Sequence, residues 1–346
     1  MRITIILLII ILPTQVFSQN NKITINTNKN IEFLGYIIEQ GDPMGNEKSH
    51  PISVIINKYP ENKNSETLLK LFNLASDINY STLTYLMYFL PELPLAKDYS
   101  VSLELASYLG FNSETEKKNL NQMVSELNNY YHESNFDTIW NELRPYRKNI
   151  TSILHENRPE SKVFDQMEMF YQYKYDHYSI QPIITLWPCG FGIRDLENKR
   201  AVFVMGPLNI NYDFTDQEAY INLAIHEFGH SFVNHVVLKN ENLLNKTKKL
   251  FAPIKEDMTR QGYSDWKTCI IEHFVRAGEV IIRDLMGDKK QSEALLKSYT
   301  EDKKYIFLPS IVQSLKAYRL DKNLSYEAAV TASLSDLSEE MKIENE

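Results

Sequence analysis

Apolar residues recur at helical spacing through most of the chain and cluster as strands in only a few places. Leu68, Leu69, Leu71, Phe72 and Ala75 follow one helical face, and Leu83, Leu86, Met87 and Leu90 follow a second. Pro91 and Pro94 close that pair. Ser113 followed by Glu116 is a capping box, predicting a helix through residues 120–127. Residues 136–143 and 163–173 extend the series, so the chain from about residue 65 to 171 reads as a helical block. Strand-like patterns flank it. Ile23 and Ile25, then residues 31–38, read as one or two short strands, with a loop at residues 41–46. Residues 180–187 are apolar and β-branched, with Pro182 suited to a strand start or edge. Residues 191–194 and 201–205 flank Leu196-Glu197-Asn198-Lys199 and predict a hairpin that ends at Gly206-Pro207. Helices then run to the C-terminus, the first opened by a capping box of Thr215 and Glu218. The fold class is α+β and mostly helical.

The first eighteen residues have a different character. Arg2 precedes an apolar run over residues 3–12, and Val16-Phe17-Ser18 supplies small residues before Gln19. This predicts a signal peptide cut near Gln19 and an exported protein, secreted or periplasmic. Ten apolar residues fall short of the roughly 20 that span a bilayer, so stable membrane insertion is not expected. The expected organisation is a signal peptide at 1–18, a mainly helical region with short strands at 19–177, and a catalytic region at 178–346.

Composition narrows the function. With 43% hydrophobic and 24% charged residues, the 346-residue chain can fold around a core. A net charge of −8 and the lack of a basic run argue against nucleic acid as the partner. Two cysteines are too few for a disulfide-stapled scaffold. Cys189 and Cys269 either pair, as export would permit, or remain buried thiols.

The chemistry lies in His226-Glu227-Phe228-Gly229-His230. Positions i and i+4 share a helix face, so both imidazoles can reach one cation, and Glu227 stands beside them as general base for an attacking water. Gly229 sits oddly inside a helix and implies a close approach there, by packing or by substrate. A catalytic zinc needs a third protein ligand. His235 is displaced from the ligand face, and Val233 and Val236 stand where a metzincin would have Gly and His. Among carboxylates, Glu256 sits in the polar run Lys255-Glu256-Asp257 and looks solvated. Glu272, Arg276, Glu279 and Arg283 form one helical stripe after a start at Ser264-Asp265, flanked by Ile270, Ile271, Phe274 and Val275. Glu272 is the expected third ligand, with Arg276 one turn on to orient it. Glu279 lies about 10 Å further along the helix and is expected to be dispensable for metal binding.

His226-Glu227-Phe228-Gly229-His230-Ser231-Phe232, followed by Glu272-His273-Phe274-Val275-Arg276-Ala277, resembles the gluzincin group of zinc metallopeptidases. It is most similar to a bacterial secreted family catalogued as a domain of unknown function, whose N-terminal region is similar around His50-Pro51. The resemblance implies a zincin-like catalytic part with an active-site helix and a peptide or protein substrate. It implies Zn2+ held by His226, His230 and Glu272, with Glu227 as the catalytic base. It also implies that residues 201–206 form the edge strand along which a peptide pairs. Thermolysin-like members carry Asp where this chain has Arg276, so the surroundings of the ligand Glu differ. Oxyanion stabilisation falls to His273, Arg276 or Tyr263. The rival readings are a peptide-binding protein without catalysis and a structural metal site with a fourth protein ligand.

Overall fold

The computed structural model describes residues 22–41, 51–320 and 323–343. The expected signal peptide, the loop at 42–46 and His50 lie outside the described residues. Strand β1 (Ile23–Ile25) leads into helix α1 (Lys29–Gly41). Residues 31–38 are therefore helical and not a strand. Nearly every residue of α1 is buried, so its sequence lacks the polar face that would reveal a period of 3.6. Two of its buried polar residues, Asn30 and Glu32, are held by hydrogen bonds, whereas the Gln40 side-chain amide has none. Asn30 Nδ2 donates to the carbonyls of Met87, Leu90 and Pro91 at 3.0–3.2 Å. The buried Glu32 carboxylate accepts the backbone N–H groups of Ile184 and Thr185, both at 3.1 Å.

The helical block follows as expected: α2 (Pro51–Ile56), α3 (Glu66–Ala75), α4 (Tyr80–Phe89), α5 (Leu103–Tyr108), α6 (Glu114–Glu133), α7 (Phe136–Glu142), α8 (Arg144–Glu156) and α9 (Ser161–Tyr171). The capping box at α6 is present, with Ser113 N donating to Glu116 Oε2 at 2.8 Å and Glu116 N to Ser113 Oγ at 3.2 Å.

Strands β2 (His177–Pro182), β3 (Gly190–Asp195) and β4 (Arg200–Met205) complete a four-stranded mixed sheet in the order β1-β2-β4-β3. β1 and β2 pair in parallel, as do β2 and β4, while β3 and β4 form the expected antiparallel hairpin. Two expectations change here. The strand over residues 180–187 stops at Pro182: Ile183 N–H still donates to the Met205 carbonyl at 2.8 Å, and Glu32 then takes the N–H groups of Ile184 and Thr185. Residues 201–205 are not an edge: β4 lies between β2 and β3, and the outer strand is β3. The uniformly buried run Ala201-Val202-Phe203-Val204-Met205 fits an interior strand covered on both faces.

Helices α10 (Gln217–Leu238), α11 (Glu241–Thr247), α12 (Lys255–Arg260), α13 (Trp266–Leu285), α14 (Lys289–Lys297), α15 (Leu308–Tyr318) and α16 (Tyr326–Ile343) form the rest. α10 packs on β3 and β4 and also on α13. One hydrophobic cluster runs from Ile25 through the block and the sheet to Leu337. Among the described residues, no helix is long and apolar enough to cross a membrane.

Candidate metal centre

Helix α10 starts at Asp216, whose side chain accepts the N–H of Ala219 at 3.0 Å. The expected cap at Thr215 is displaced by one residue. Asp is the stronger N-cap, Thr215 folds back onto Asp213, and Glu218 is drawn to Arg283 at 2.7 Å. Ten residues into the helix, His226 and His230 project on one face. On α13, capped by Asp265 as expected, Glu272 faces them.

One ligand atom from each of His226, His230 and Glu272 lies within 4.8 Å of the others. The two Nε2 atoms are 3.3 Å apart, His226 Nε2 is 3.5 Å from Glu272 Oε2, and His230 Nε2 is 3.3 Å from Glu272 Oε1. Ligand arms of about 2.1 Å in tetrahedral array place ligand atoms about 3.4 Å apart, so the triangle has the size a zinc-like cation requires.

The hydrogen bonds behind the triangle fix its chemistry. His226 Nδ1 bonds Glu279 Oε1 at 2.7 Å, and His230 Nδ1 bonds Asn234 Oδ1 at 2.9 Å. Both acceptors are oxygens, so each Nδ1 carries a proton and each Nε2 is the nitrogen that faces the middle of the triangle. Two imidazole nitrogens and a buried carboxylate then converge, and Glu272 Oε2 has no hydrogen-bond donor. That arrangement is unfavourable without a cation at its middle. Burial alone would lower the pKa of His230, but the Glu272 carboxylate outweighs it and holds the imidazole at about 9. Burial likewise pushes Glu272 upward, and the two imidazoles and then Arg276 pull it well below the usual range.

Glu279, expected to be dispensable, orients His226 instead. Its second oxygen accepts from Tyr299 at 2.7 Å, giving a Tyr–Glu–His relay of the kind that sets ligand orientation. Arg276 lies between the two carboxylates, 3.7 Å from Glu272 and 3.8 Å from Glu279. It stacks over Tyr299 and Tyr305 at 4.6 and 4.7 Å.

Glu227 is buried beside the triangle, and desolvation raises its pKa. Strand β3 lies against it. A methyl group built on Gly190 would stand 2.3 Å from Glu227 Oε1, and one on Gly192 would stand 1.9 Å from the Glu227 carbonyl oxygen. Glycine at both positions is what lets the strand approach the helix. Gly229 serves packing instead, toward Val275 at 3.3 Å and Tyr171 at 3.5 Å.

The remaining expected residues sort cleanly. His273 is fully buried; its Nδ1 bonds the Cys269 carbonyl at 2.9 Å, and its Nε2 has no hydrogen-bond partner. Arg276 and Tyr263 stay near the triangle and touch each other at 3.4 Å. His235 and Glu256 are not in the ligand group. Cys189 and Cys269 are free thiols, and burial pushes both pKa values up, that of Cys269 to about 12. Tyr85, on α4, donates to the Gly192 carbonyl at 2.9 Å and so reaches the strand beside the centre. No spacing in the sequence points to Tyr85 or Tyr299, whereas Asn234 and Glu279 stand at helical intervals from His230 and Glu272. An apolar cavity of about 500 Å³ lies among α1, α3, α4 and α6.

A family model described as a domain of unknown function (DUF4932) matches residues 97–329, which hold the whole triangle together with Glu279 and Tyr299. The chain belongs to that family. No curated protein and no solved structure matches it.

Proposed function

We propose that the protein is an exported zinc-dependent peptidase of gluzincin type, in which His226, His230 and Glu272 hold the metal and Glu227 is the general base. The observation behind this reading is the convergence of two imidazole nitrogens and a carboxylate within 4.8 Å, with a buried glutamate next to them. A dication held there supplies Lewis acidity to a carbonyl and to water. Glu227 takes a proton from the attacking water as the C–O bond forms, then passes it to the departing amide nitrogen as the C–N bond breaks. Its desolvated setting suits both halves of that transfer.

The substrate is expected along β3, the outer strand, and not along β4. In the antiparallel pairing, Gly190 and Gly192 direct their backbone groups away from β4, and Tyr85 already occupies the Gly192 carbonyl. The N–H of Gly192 and both groups of Gly190 remain to pair with an extended peptide. His273, Arg276 and Tyr263 stay as the candidates for oxyanion stabilisation.

Metal analysis of the purified protein is expected to give one zinc per chain. Glu227→Gln is expected to keep that zinc and to lose hydrolysis of a quenched fluorescent peptide mixture. Undiminished turnover in the variant would reject Glu227 as the base, and a metal-free protein with full turnover would reject the whole reading.

A further inference from the structure

On the far side of Arg276 from the triangle lies a second cavity, of about 490 Å³, and its lining is polar. Arg260, Gln261, Tyr263, Arg276, Lys303 and Lys304 contribute to it. Two acids also line it, Asp257 and Asp302. Asp257 is committed to Arg260, which also holds Glu256 at 2.7 Å. Lys304 is turned to the Glu301 carbonyl at 2.6 Å. Lys303 makes no ion pair among the described residues, and the opposite charges that act on it are Glu279 and then Asp302.

Lys303 and Arg276 stand over the same ring, Tyr299, at 5.6 and 4.6 Å. Burial and then the Arg276 charge depress the lysine pKa, and the Glu279 and Asp302 carboxylates offset this only in part. Arg276 Nε is buried and has no hydrogen-bond partner. Its two carboxylate neighbours have other commitments: Glu272 faces the imidazoles, and Glu279 is bound by His226 and Tyr299. Arg276 therefore shares its two carboxylates with the imidazoles and Tyr299, while Lys303 has no ion pair of its own among the described residues.

We infer that this cavity is a carboxylate-binding subsite, with Lys303 and Arg276 as its cations, and that it selects peptides carrying an acidic group near the scissile bond. The inference deepens the peptidase reading and, for its substrate class, rests on it. The Arg276 guanidinium is 3.7 Å from Glu272, so an anion on its opposite edge lies about 8–10 Å from the metal position. Two to three residues of extended peptide cover that distance at about 3.3–3.6 Å per residue. The carboxylate is either an Asp or Glu side chain or the free C-terminus of a short peptide.

The test has two arms. In the first, glutarate is titrated into the full protein by calorimetry. Wild type is expected to bind it, Lys303→Ala to bind roughly five- to tenfold more weakly, and Lys303→Arg to retain binding. Absence of glutarate binding, or equal binding by wild type and Lys303→Ala, overturns the subsite whatever the protein hydrolyses. In the second arm, cleavage is compared for amidated peptides with Glu or Gln at one position and for a neutral peptide with a free or amidated C-terminus. A lower KM for the Glu peptide that disappears in Lys303→Ala assigns the side chain, and a preference for the free terminus that disappears likewise assigns the C-terminus. Cleavage without either preference overturns the selectivity. Glutarate binding without cleavage of any peptide retains the subsite and rejects the peptidase reading.

Discussion

Glu279 and Glu272 do different work from neighbouring positions on one helix, and substitution separates them. Glu272→Ala removes a ligand and is expected to abolish stoichiometric zinc. Glu279→Ala frees the His226 ring and removes the acceptor that fixes its tautomer, so zinc affinity is expected to fall about 10–100-fold. Competition with a chromophoric chelator measures both, and a normal affinity in Glu279→Ala would show that the relay from Tyr299 does not orient the ligand. Glu32 gives a second prediction at this scale. Burial raises its pKa from 4.5 to about 7, against the opposing effect of its backbone hydrogen bonds. The folded state therefore binds the proton more tightly than the unfolded state. Stability is fully present below about pH 4.5 and declines as pH rises to about 7, by about 3 kcal/mol at most. Urea unfolding across that window should show the decline in wild type and a flatter profile in Glu32→Gln. A flat wild-type profile would mean that the two N–H donors hold the carboxylate ionised throughout.

Elements meet the centre through close backbone approach, and the two glycines of β3 report on it differently. Gly190→Ala presses on the end of a side chain, so the protein is expected to fold and keep its metal while Glu227 is pushed aside and hydrolysis is lost. Gly192→Ala presses on the backbone of α10 and is expected to cost about 1–3 kcal/mol of stability, read as a lower denaturation midpoint. The reverse order of effects would place the strand elsewhere. Much of this scale was legible in the sequence: the helical block, the β3–β4 hairpin, the capping box at Ser113 and the helix that carries His226 and His230 all follow from local pattern. What was illegible came from burial and long-range partners. α1 is apolar almost all round and so mimics a strand. The true position of β4 depends on β1 and β2 pairing beyond it, which no local pattern records. The triangle itself was legible because its residues sit at helical spacing, whereas Tyr85 and Tyr299 arrive from separate segments.

At the scale of the whole molecule, the residues matched by the family model do not make a closed unit. Residues 97–329 omit β1, α1 and α4, yet α1 holds the segment after β2 through Glu32, and α4 reaches β3 through Tyr85. The hydrophobic cluster also runs through those elements without a break. A fragment of residues 97–329 is therefore expected to melt without a sharp transition by circular dichroism, while the chain from residue 19 melts cooperatively. A fragment with a sharp transition near that of the longer chain would show that the N-terminal elements are an appendage.

The polar stripe of α13 meets a matching stripe on α10 in reverse order. Arg283 takes Glu218 and Asn222, Glu279 takes His226, and Glu272 closes on His226 and His230. The two helices thus read each other like the teeth of a key. Inserting or deleting one residue between positions 272 and 283 would turn the remainder of the stripe by about 100° and disengage every tooth beyond it. A substitution here removes a single tooth, whereas a change of length removes the whole set beyond it.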